Sequence, residues 1–561
     1  MKNFSSILLS NLELFPNKEC LFIVHSNQPD ISITYNELVN KSAGYARRFQ
    51  NLGIQPGEVV ILVLQHGIDL IYAYFGAILN GSIPSIMPFL TEKLLPERYR
   101  SDMSALISIT HPAAIVTDGE FFDEIQKARV PGDSVRELIL VEELSGERVP
   151  DFQTLRGITC SDDDIALLQH SSGSTGLQKG VALSHKAVIN QLKSYESVLS
   201  LDTENDMIVS WLPLYHDMGL IACFLMPILR NIPLILMSPF DWVRAPHRLF
   251  DLVTKYKGTL IWLPNFAFNF CALKIRDRYL EGIDLSSLRA VINCSEPTRW
   301  DSHQMFFVRF QKCGLSEEVI NTCYAMAENV FAVTQSTLNR IVTVDEIDKM
   351  VYQTEKKALL AKGTGTLRML SAGKPIPGVE IKIFDEKANE LPDRQIGQIA
   401  IKSDCMLTEY YNRPEETGNS FDGEWYLTGD LGYSVKDELF ITGRMKDLII
   451  VGGKNVYPQD IEFLAMEIPG IHPGRVVAFG LFNDKSGTED VILIAETDEV
   501  DLEKRVTLAN KIREVVTKGS AIALRKVILV EKKWLVKTSS GKIARSANRE
   551  KFIENFINSD I

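Results

Sequence analysis

The sequence predicts an α/β protein with a large N-terminal domain and a small α+β C-terminal domain. At 561 residues the chain is too long for one hydrophobic core. Short apolar runs alternate with helix-like stretches up to about residue 324, which is typical of largely parallel sheets covered by helices. The pattern becomes strand-rich near residue 377 and changes again near 444. We therefore expect two helix-covered, largely parallel sheets and a strand-rich subdomain across 1–443, and an α+β domain across 444–561.

The first predicted sheet begins after a helix with a recognisable start. Thr34-Tyr-Asn-Glu37 fits a capping box, and the helix that it opens should stop at Gly53. A second helix should end at Leu79 and be closed by Gly81. The buried strands predicted in this region are 59–64, 85–89, 113–118 and 137–141.

The second predicted sheet places several polar loops where ligands bind. Ser184 is a candidate N-cap for a helix that starts at about Lys186. The strands predicted on either side of residues 171–180 are 165–168 and 181–183, and those predicted after them are 207–212, 233–237, 259–263, 290–293 and 319–324. Ligands of such sheets bind beyond the carboxyl ends of the strands. The loops 213–219, 264–265 and 293–297 are therefore candidate parts of a site.

The later part of the chain shows two further patterns. Residues 342–368 form a charged, helix-prone stretch that includes Glu355-Lys-Lys-Ala-Leu-Leu-Ala-Lys362 and has no apolar strand on either side. After 444 the sequence predicts a strand at 448–451, a helix opened by Pro458, strands at 476–482 and 491–496, and a helix over 501–519.

Composition excludes several classes of protein. The net charge of −12 argues against a general nucleic-acid binder. The eight cysteines are scattered without a CxxC pair, which favours reduced thiols in the cytoplasm. The first residues lack the apolar core of a signal peptide, and the most apolar stretch, 59–79, contains Gln65, His66 and Asp69. We expect no membrane span.

A loop at 171–180 has the composition of a polyphosphate cradle. Its sequence, Ser-Ser-Gly-Ser-Thr-Gly-Leu-Gln-Lys-Gly, combines hydroxyls and glycines with Lys179. Glycines let backbone amides turn inward, and hydroxyls and the lysine add donors and positive charge. The spacing is not that of a Walker A loop. The alternative is a flexible polar turn.

Further motifs carry residue types suited to nucleotide chemistry. Tyr324-Ala-Met-Ala-Glu328 offers an aromatic ring for a purine and a carboxylate for Mg²⁺. Thr428-Gly-Asp430 presents an acid that could accept from ribose hydroxyls, and Lys542 lies on a polar loop from which it could meet negative charge. Each also has a plainer interpretation. Tyr324 could be a core aromatic and Glu328 a surface acid. The segment 428–430 could be an ordinary Asx-turn, and Lys542 a solvated lysine of the C-terminal tail. The same holds for His216, which could be structural, and for the charged segment 443–447, which could be a linker.

The order of these motifs resembles the adenylate-forming superfamily, which includes acyl-CoA synthetases, luciferases and nonribosomal adenylation domains. The segments 171–180, 324–328, 428–430, 443–446 and 537–542 match its ordered motifs over nearly the whole chain. The sequences Trp211-Leu-Pro-Leu-Tyr-His-Asp-Met-Gly-Leu220, Ser295-Glu296-Pro297 and Lys454-Asn-Val-Tyr-Pro-Gln-Asp-Ile-Glu462 are most similar to the fatty acyl-AMP ligases.

The resemblance gives the charged stretch a meaning. The connection from Glu328 to Gly373 is longer than acyl-CoA synthetases need. Fatty acyl-AMP ligases carry an insertion here, at about 340–368 in this chain, thought to restrain the small domain and disfavour coenzyme A. The alternative is a neutral surface elaboration.

The resemblance implies that a fatty acid and ATP give acyl-AMP and pyrophosphate, after which the acyl group passes to the phosphopantetheine thiol of an acyl carrier protein. It implies a catalytic Lys542, a hinge at Lys446 about which the small domain moves, and a gating role for His216. It also assigns nucleotide and Mg²⁺ contacts. The implied phosphate-binding residues are Ser172, Gly173, Ser174, Thr175, Gly176 and Lys179; the metal ligands are Glu328 and Thr175; the remaining nucleotide contacts are Ser295, Glu296, Tyr324, Asp430 and Arg444.

The carrier protein is expected to be acidic, and a basic rim could receive it. The candidate rim residues are Lys532, Lys533, Lys537, Arg545 and Arg549. They could instead only solubilise the last domain. A monomer is the default of the family.

Other functions stay open. The chain could be a fatty acyl-CoA synthetase with an irrelevant insertion, or a nucleotide-binding scaffold without catalysis. An amino-acid adenylation domain fits less well, because no carrier domain follows and the loop at His216-Asp217 is not the amino-group-binding pattern. Acyl length and the identity of the carrier are not given by the sequence.

Overall fold

The computed structural model describes residues 2–26, 28–91, 96–144, 149–171, 179–451, 454–483, 488–520, 522–538 and 541–557. The α-helices are, in chain order, α1 Phe4–Leu14, α2 Tyr35–Asn51, α3 Ile68–Asn80, α4 Pro96–Thr110, α5 Phe122–Ala128, α6 His185–Leu199, α7 Met226–Leu229, α8 Pro239–Arg244, α9 Arg248–Tyr256, α10 Asn265–Lys274, α11 Trp300–Phe310, α12 Lys349–Glu355, α13 Pro414–Asn419, α14 Pro458–Met466, α15 Leu502–Ser520 and α16 Arg545–Phe556. A π-helix covers Met218–Leu225.

The strands are, in chain order, β1 Glu19–Val24, β2 Ile31–Thr34, β3 Val59–Val63, β4 Ile83–Ile86, β5 Ala114–Thr117, β6 Glu137–Leu140, β7 Ile165–Ser171, β8 Lys179–Ser184, β9 Ile208–Ser210, β10 Leu234–Met237, β11 Leu260–Leu263, β12 Ala290–Asn293, β13 Ile320–Ala325, β14 Ala332–Gln335, β15 Val344–Asp348, β16 Thr366–Leu370, β17 Lys374–Pro375, β18 Val379–Phe384, β19 Gly397–Ser403, β20 Glu409–Tyr410, β21 Phe421–Asp422, β22 Trp425–Val435, β23 Glu438–Arg444, β24 Ile449–Val451, β25 Lys454–Val456, β26 Val476–Asn483, β27 Thr488–Glu496 and β28 Leu524–Val530.

Two sheets confirm the predicted α/β core. A parallel four-stranded sheet has the order β4-β3-β5-β6. A nine-stranded sheet has the order β17-β14-β13-β12-β11-β9-β10-β1-β2, and its central strands β13 to β1 run parallel. These strands are buried on both faces, as continuous apolar runs predict for parallel sheets. Because β9, β11 and β12 are neighbours, the loops that follow them meet at one edge.

The predicted helix boundaries follow from their caps. The Thr34 side chain accepts a hydrogen bond from the Glu37 amide at the start of α2, and the Ser184 side chain accepts one from the Ala187 amide at the start of α6. Gly81 closes α3 in the left-handed region at φ 79°. No helix in the described ranges combines the length and the apolar character needed to cross a bilayer.

The strand-rich region is an antiparallel sheet, β18-β19-β22-β21, with β23 added to β22. The charged stretch before it differs from the prediction. The stretch 342–368 was expected to be helix-prone, but its helix is confined to Lys349–Glu355, and the antiparallel pair β15 and β16 flanks it. Side chains along β15 alternate between the two faces of the strand, so that Asp345 and Ile347 are buried. The Asp345 carboxylate accepts hydrogen bonds from Arg394 and from the Tyr433 hydroxyl.

The chain after 444 forms the three-stranded sheet β26-β27-β28 with α14, α15 and α16, and the hairpin of β24 and β25. Ile461, Val476 and Leu493 are among the fully or nearly fully buried side chains of its core. The boundary at 443–444 stays a prediction.

Candidate active site

Lys542 reaches from the C-terminal loop to the edge of the nine-stranded sheet. Its Nζ donates a hydrogen bond to the Ser295 carbonyl oxygen at 2.6 Å, just beyond the end of β12. Ser295 has a left-handed backbone, with φ of 69°. Burial raises the pKa of both Asp217 and Glu296, and the Lys542 ammonium opposes that rise. The lysine thus places a positive charge beside the buried carboxyl groups of Asp217 and Glu296.

The loop that carries Lys542 is closed at its base by Asn548, which is fully buried. Asn548 Oδ1 accepts from the Val536 amide, and Nδ2 donates to the Val536 and Ala544 carbonyl oxygens, all at 2.8 Å. Thr538 bonds with the backbone of Lys542 inside the loop. Asn548 therefore joins both ends of the segment that presents the lysine.

The loop after β9 places His216 next to Lys542. Asp217 accepts from the Met218 amide at 2.8 Å and starts the π-helix, a rare element that is frequent at functional sites. Gly219 is required there, because a Cβ would lie 2.2 Å from the Pro213 carbonyl oxygen. Burial, and then Lys542, lower the pKa of His216 to about 3, so its imidazole is neutral at physiological pH. Its Nε2 is buried without a hydrogen-bond partner among the described residues.

Hydrogen bonds join the segments that follow β11 and β12. Asn293 Nδ2 donates to Asn265 Oδ1 at 3.0 Å, and the Phe266 amide donates to Glu296 Oε2 at 2.8 Å. Aromatic rings border this network: Trp211 stacks on Trp242 with centroids 3.6 Å apart, and Phe266 packs edge-on against both. The acidic loop therefore adjoins an apolar wall.

Tyr324, Asp430 and Arg444 meet as one group. The Tyr324 hydroxyl donates to Asp430 Oδ2 at 2.6 Å, and Arg444 Nε lies 3.2 Å from Asp430 Oδ1. Asp430 and Arg444 are register partners in the hairpin of β22 and β23. The Asp430 carboxylate raises the pKa of the Arg444 guanidinium, which stays charged. A purine ring and a ribose could contact this group at the same time.

Glu328 lies in the tight turn between β13 and β14. The turn is strained, because Val330 has φ of 63° and the Phe331 amide bonds back to Asn329 at 2.6 Å. Burial raises the pKa of the Glu328 carboxyl, whereas a hydrogen bond at 2.8 Å from the Tyr410 hydroxyl to its Oε1 lowers it. The turn therefore holds a single carboxylate at the edge of the cleft.

Lys179, the first residue of β8, lies next to Tyr410, whose hydroxyl bonds with Glu328. Its Nζ is 2.7 Å from Glu416 Oε2 and 4.7 Å from the centroid of the Tyr410 ring. Glu416 is also paired with Arg413. The other predicted phosphate-binding residues, Ser172, Gly173, Ser174, Thr175 and Gly176, lie outside the described residues.

One predicted surface residue is otherwise engaged. Arg545 was expected in a basic rim, but its guanidinium bonds with Asp447 at 2.6 Å and with both oxygens of Glu462 at 2.8 and 3.0 Å. That expectation is wrong, because the arginine holds α14 and the residues after β23 together. Lys532, Lys533 and Arg549 are exposed, and so is Lys446.

Two sets of contacts hold the C-terminal segment against the earlier part of the chain. Arg299 Nη2 donates to Asp460 Oδ1 at 2.8 Å and stacks over Phe463. The charged stretch 342–368 adds others: Tyr352 stacks on Tyr457 with ring centroids 5.0 Å apart, and Lys349 Nζ donates to the Gly519 carbonyl oxygen. The charged stretch is therefore in direct contact with the segment that carries Lys542.

Sequence reasoning missed Tyr410, Glu416 and Asn548. The first two come to the site through the pairing of β20 with β8, whose residues are more than 200 positions apart. Asn548 lies six residues after Lys542 in the first turns of α16, and an asparagine in a helix was the signal available.

Comparison with known proteins gives matches over nearly the full length. The family model described as AMP-binding enzyme matches residues 10–411. A medium-chain-fatty-acid–[acyl-carrier-protein] ligase, JamA of Moorena producens, is 28% identical over 95% of this chain and 92% of its own length. The long-chain-fatty-acid–AMP ligase FadD28 of Mycobacterium tuberculosis is 28% identical over 93% and 92%.

Solved structures of similar proteins match this chain over nearly its full length as well. A fatty acid AMP ligase from Legionella pneumophila is 29% identical, covers 99% of this chain and 96% of its own, and superposes with a TM-score of 0.75. A structure from a study of fatty acyl-adenylate ligases of E. coli and L. pneumophila has a TM-score of 0.90 over 100% and 99% of the two chains. At 24% identity, the latter supports the fold alone.

Proposed function

Because the chain belongs to the AMP-binding enzyme family, we propose that it joins a fatty acid to ATP, forming an acyl-AMP and releasing pyrophosphate. The observation that carries the proposal is the position of Lys542, whose Nζ lies at the Ser295 carbonyl beside the apolar wall of Trp211 and Phe266. This is where the carboxylate of an acyl chain lying along that wall would meet the nucleotide held by Asp430 and Tyr324.

The reaction brings two anions together, so positioning and charge neutralisation provide most of the catalysis. A carboxylate oxygen attacks the α-phosphorus, the bond to the bridging oxygen breaks, and pyrophosphate leaves with the electron pair. Lys542 neutralises the carboxylate and the α-phosphate as they approach. Lys179 faces the β- and γ-phosphates, and Asp430 with Arg444 holds the ribose. Because His216 is neutral, it can line the part of the site that receives the carboxylate of the fatty acid without adding charge there.

ATP would bring a Mg²⁺ ion with it. Such an ion takes most of its ligands from phosphate oxygens and water, and needs only one or two carboxylates from the protein. Glu328 fits this requirement, because the Tyr410 hydroxyl stabilises its ionised form from one side. When bound, the ion would neutralise charge on the departing phosphates.

The second half-reaction would pass the acyl group from acyl-AMP to the phosphopantetheine thiol of an acyl carrier protein. The name of the relative JamA supports a carrier as acceptor. The contacts of Lys349 and Tyr352 with the C-terminal segment support a restraining role for the insertion. Lys446, exposed next to β23, would be the hinge. The eight free cysteines fit a cytoplasmic enzyme.

The test is a substrate scan. Purified protein is given ATP, Mg²⁺ and fatty acids from short to long, and pyrophosphate release is measured before coenzyme A or a holo-carrier protein is added. We expect fatty-acid-dependent pyrophosphate release, loading of the carrier and slow formation of acyl-CoA. No acid-dependent release would contradict the proposal, and rapid acyl-CoA formation would make the chain an acyl-CoA synthetase.

A further inference from the structure

Tyr410 lies between two parts of the site that are far apart in sequence. It ends β20, which pairs antiparallel with β8, and it is opposite Val181, two residues after Lys179. On its other side, the Leu407 amide donates to the Glu328 carbonyl oxygen at 2.7 Å. The short segment 407–410 therefore joins the strand of Lys179 to the turn of Glu328.

The Tyr410 side chain contacts both charged groups. Its ring, only 4% exposed, lies with its centroid 4.7 Å from Lys179 Nζ. Its hydroxyl donates to Glu328 Oε1 and lies 2.8 Å from the Tyr426 hydroxyl. A phenol has one hydrogen, so the donor toward Tyr410 is Tyr426. The order of donation is Tyr426 to Tyr410 to Glu328.

Both contacts fix the position of a charged group that a metal-bound triphosphate needs. The Tyr410 hydroxyl donates to Glu328 Oε1 at 2.8 Å and so holds that carboxylate in one place. The face of the ring attracts the Lys179 ammonium.

We propose that Tyr410 is a positioning residue for both halves of the MgATP site: its hydroxyl holds Glu328 for the metal, and its ring holds Lys179 for the terminal phosphates. The inference rests on the proposed function. Tyr410 acts through these two side chains and does not touch the reacting atoms.

The test separates the two contacts by substitution. Tyr410→Phe removes the hydroxyl and keeps the ring, and Tyr410→Leu removes both. Tyr411→Phe, the same change one position along, is the matched control. ATP binding is measured by calorimetry without fatty acid, across free Mg²⁺ concentrations and in EDTA, so that no turnover is needed.

For Tyr410→Phe we expect the Mg²⁺ concentration that half-saturates ATP binding to rise about tenfold, as for loss of a hydrogen bond to a charged group. Affinity in EDTA should change less than about twofold, since the ring remains. Tyr410→Leu should lower the affinity in EDTA several-fold as well, and the control should change neither. Tyr426→Phe, which removes the donor to Tyr410, should shift the Mg²⁺ dependence in the same direction by a smaller factor.

An unchanged Mg²⁺ dependence in Tyr410→Phe, or an equal loss with and without Mg²⁺, would overturn the inference while leaving the proposed function in place. Failure of the unsubstituted protein to bind ATP would overturn both. If Tyr410→Leu does not fold, the Tyr410→Phe and Tyr426→Phe variants still decide the role of the hydroxyl.

Discussion

Lys542→Ala should abolish the first half-reaction far more than it weakens ATP binding. In the structure the ammonium is aimed at the Ser295 carbonyl by a clamped loop, so it is a preorganised charge that needs no rearrangement. Loss of one such donor costs about 10²–10³-fold in rate, or about 3–4 kcal/mol of transition-state stabilisation. ATP affinity should fall by less than about threefold, because the groups around Lys179 and Asp430 are untouched.

The assay measures each half-reaction separately. Formation of acyl-AMP is followed by pyrophosphate release, and transfer is followed by giving the enzyme acyl-AMP and holo-carrier protein. Transfer should be nearly unchanged in the variant if Lys542 acts only in adenylation. Lys551→Ala is the matched control, since Lys551 Nζ also donates to a backbone carbonyl at 2.6 Å, that of Trp534, within the same segment.

Adenylation by Lys542→Ala within about threefold of the unsubstituted rate would contradict this role, since a loss that small is below that of one preorganised donor. An equal fall in both half-reactions would contradict it too, because a general structural effect would then explain the loss. A comparable loss in the Lys551→Ala control would have the same meaning.

Two other contacts and a set of buried histidines give further expected outcomes. Asn548→Ala removes the hydrogen bonds that join the two ends of the loop carrying Lys542. Adenylation should therefore fall at least about tenfold while transfer from supplied acyl-AMP persists. An equal loss of both steps would contradict this. Lys349→Ala removes the contact with the Gly519 carbonyl, so acyl-CoA formation should rise relative to carrier loading and proteolysis near 444–448 should speed up; an unchanged ratio would contradict a restraining insertion. Finally, lowering the pH should destabilise the fold, because burial lowers the pKa of several histidines from the usual 6.5. The pKa falls to about 4 for His66, His170 and His185, and to about 3 for His216 and His303. Below pH 6.5 the unfolded chain binds protons that the folded chain refuses, so stability falls progressively from about pH 6.5 toward 4. The urea midpoint should be lower at pH 5 than at pH 7, and an equal or higher midpoint at pH 5 would refute the argument.

The core of the fold could be predicted because its strands are continuous apolar runs between clear caps. The structure of the charged stretch 342–368 was harder to predict. Along β15 a charged residue, Asp345, takes a buried position, and it is stabilised by Arg394 and Tyr433, which lie 49 and 88 residues away. Local apolar alternation therefore did not predict this strand.

The candidate site shows the same limit. Motif order indicated Lys542, Asp430 and Tyr324, and the structure brings Tyr324 and Asp430 together. The role of Arg545 was wrong, because its partner carboxylates lie 83 and 98 residues earlier. Contacts that depend on the pairing of remote strands leave no trace in a local pattern.

The hairpin of β22 and β23 has a consequence for the order of events. Asp430 and Arg444 face each other across it, and Lys446 follows two residues later. A swing about Lys446 would carry Lys542 away but leave this pair in place. The ribose would then keep the same two partners before and after the movement, so the nucleotide would stay in register while the C-terminal segment changes position.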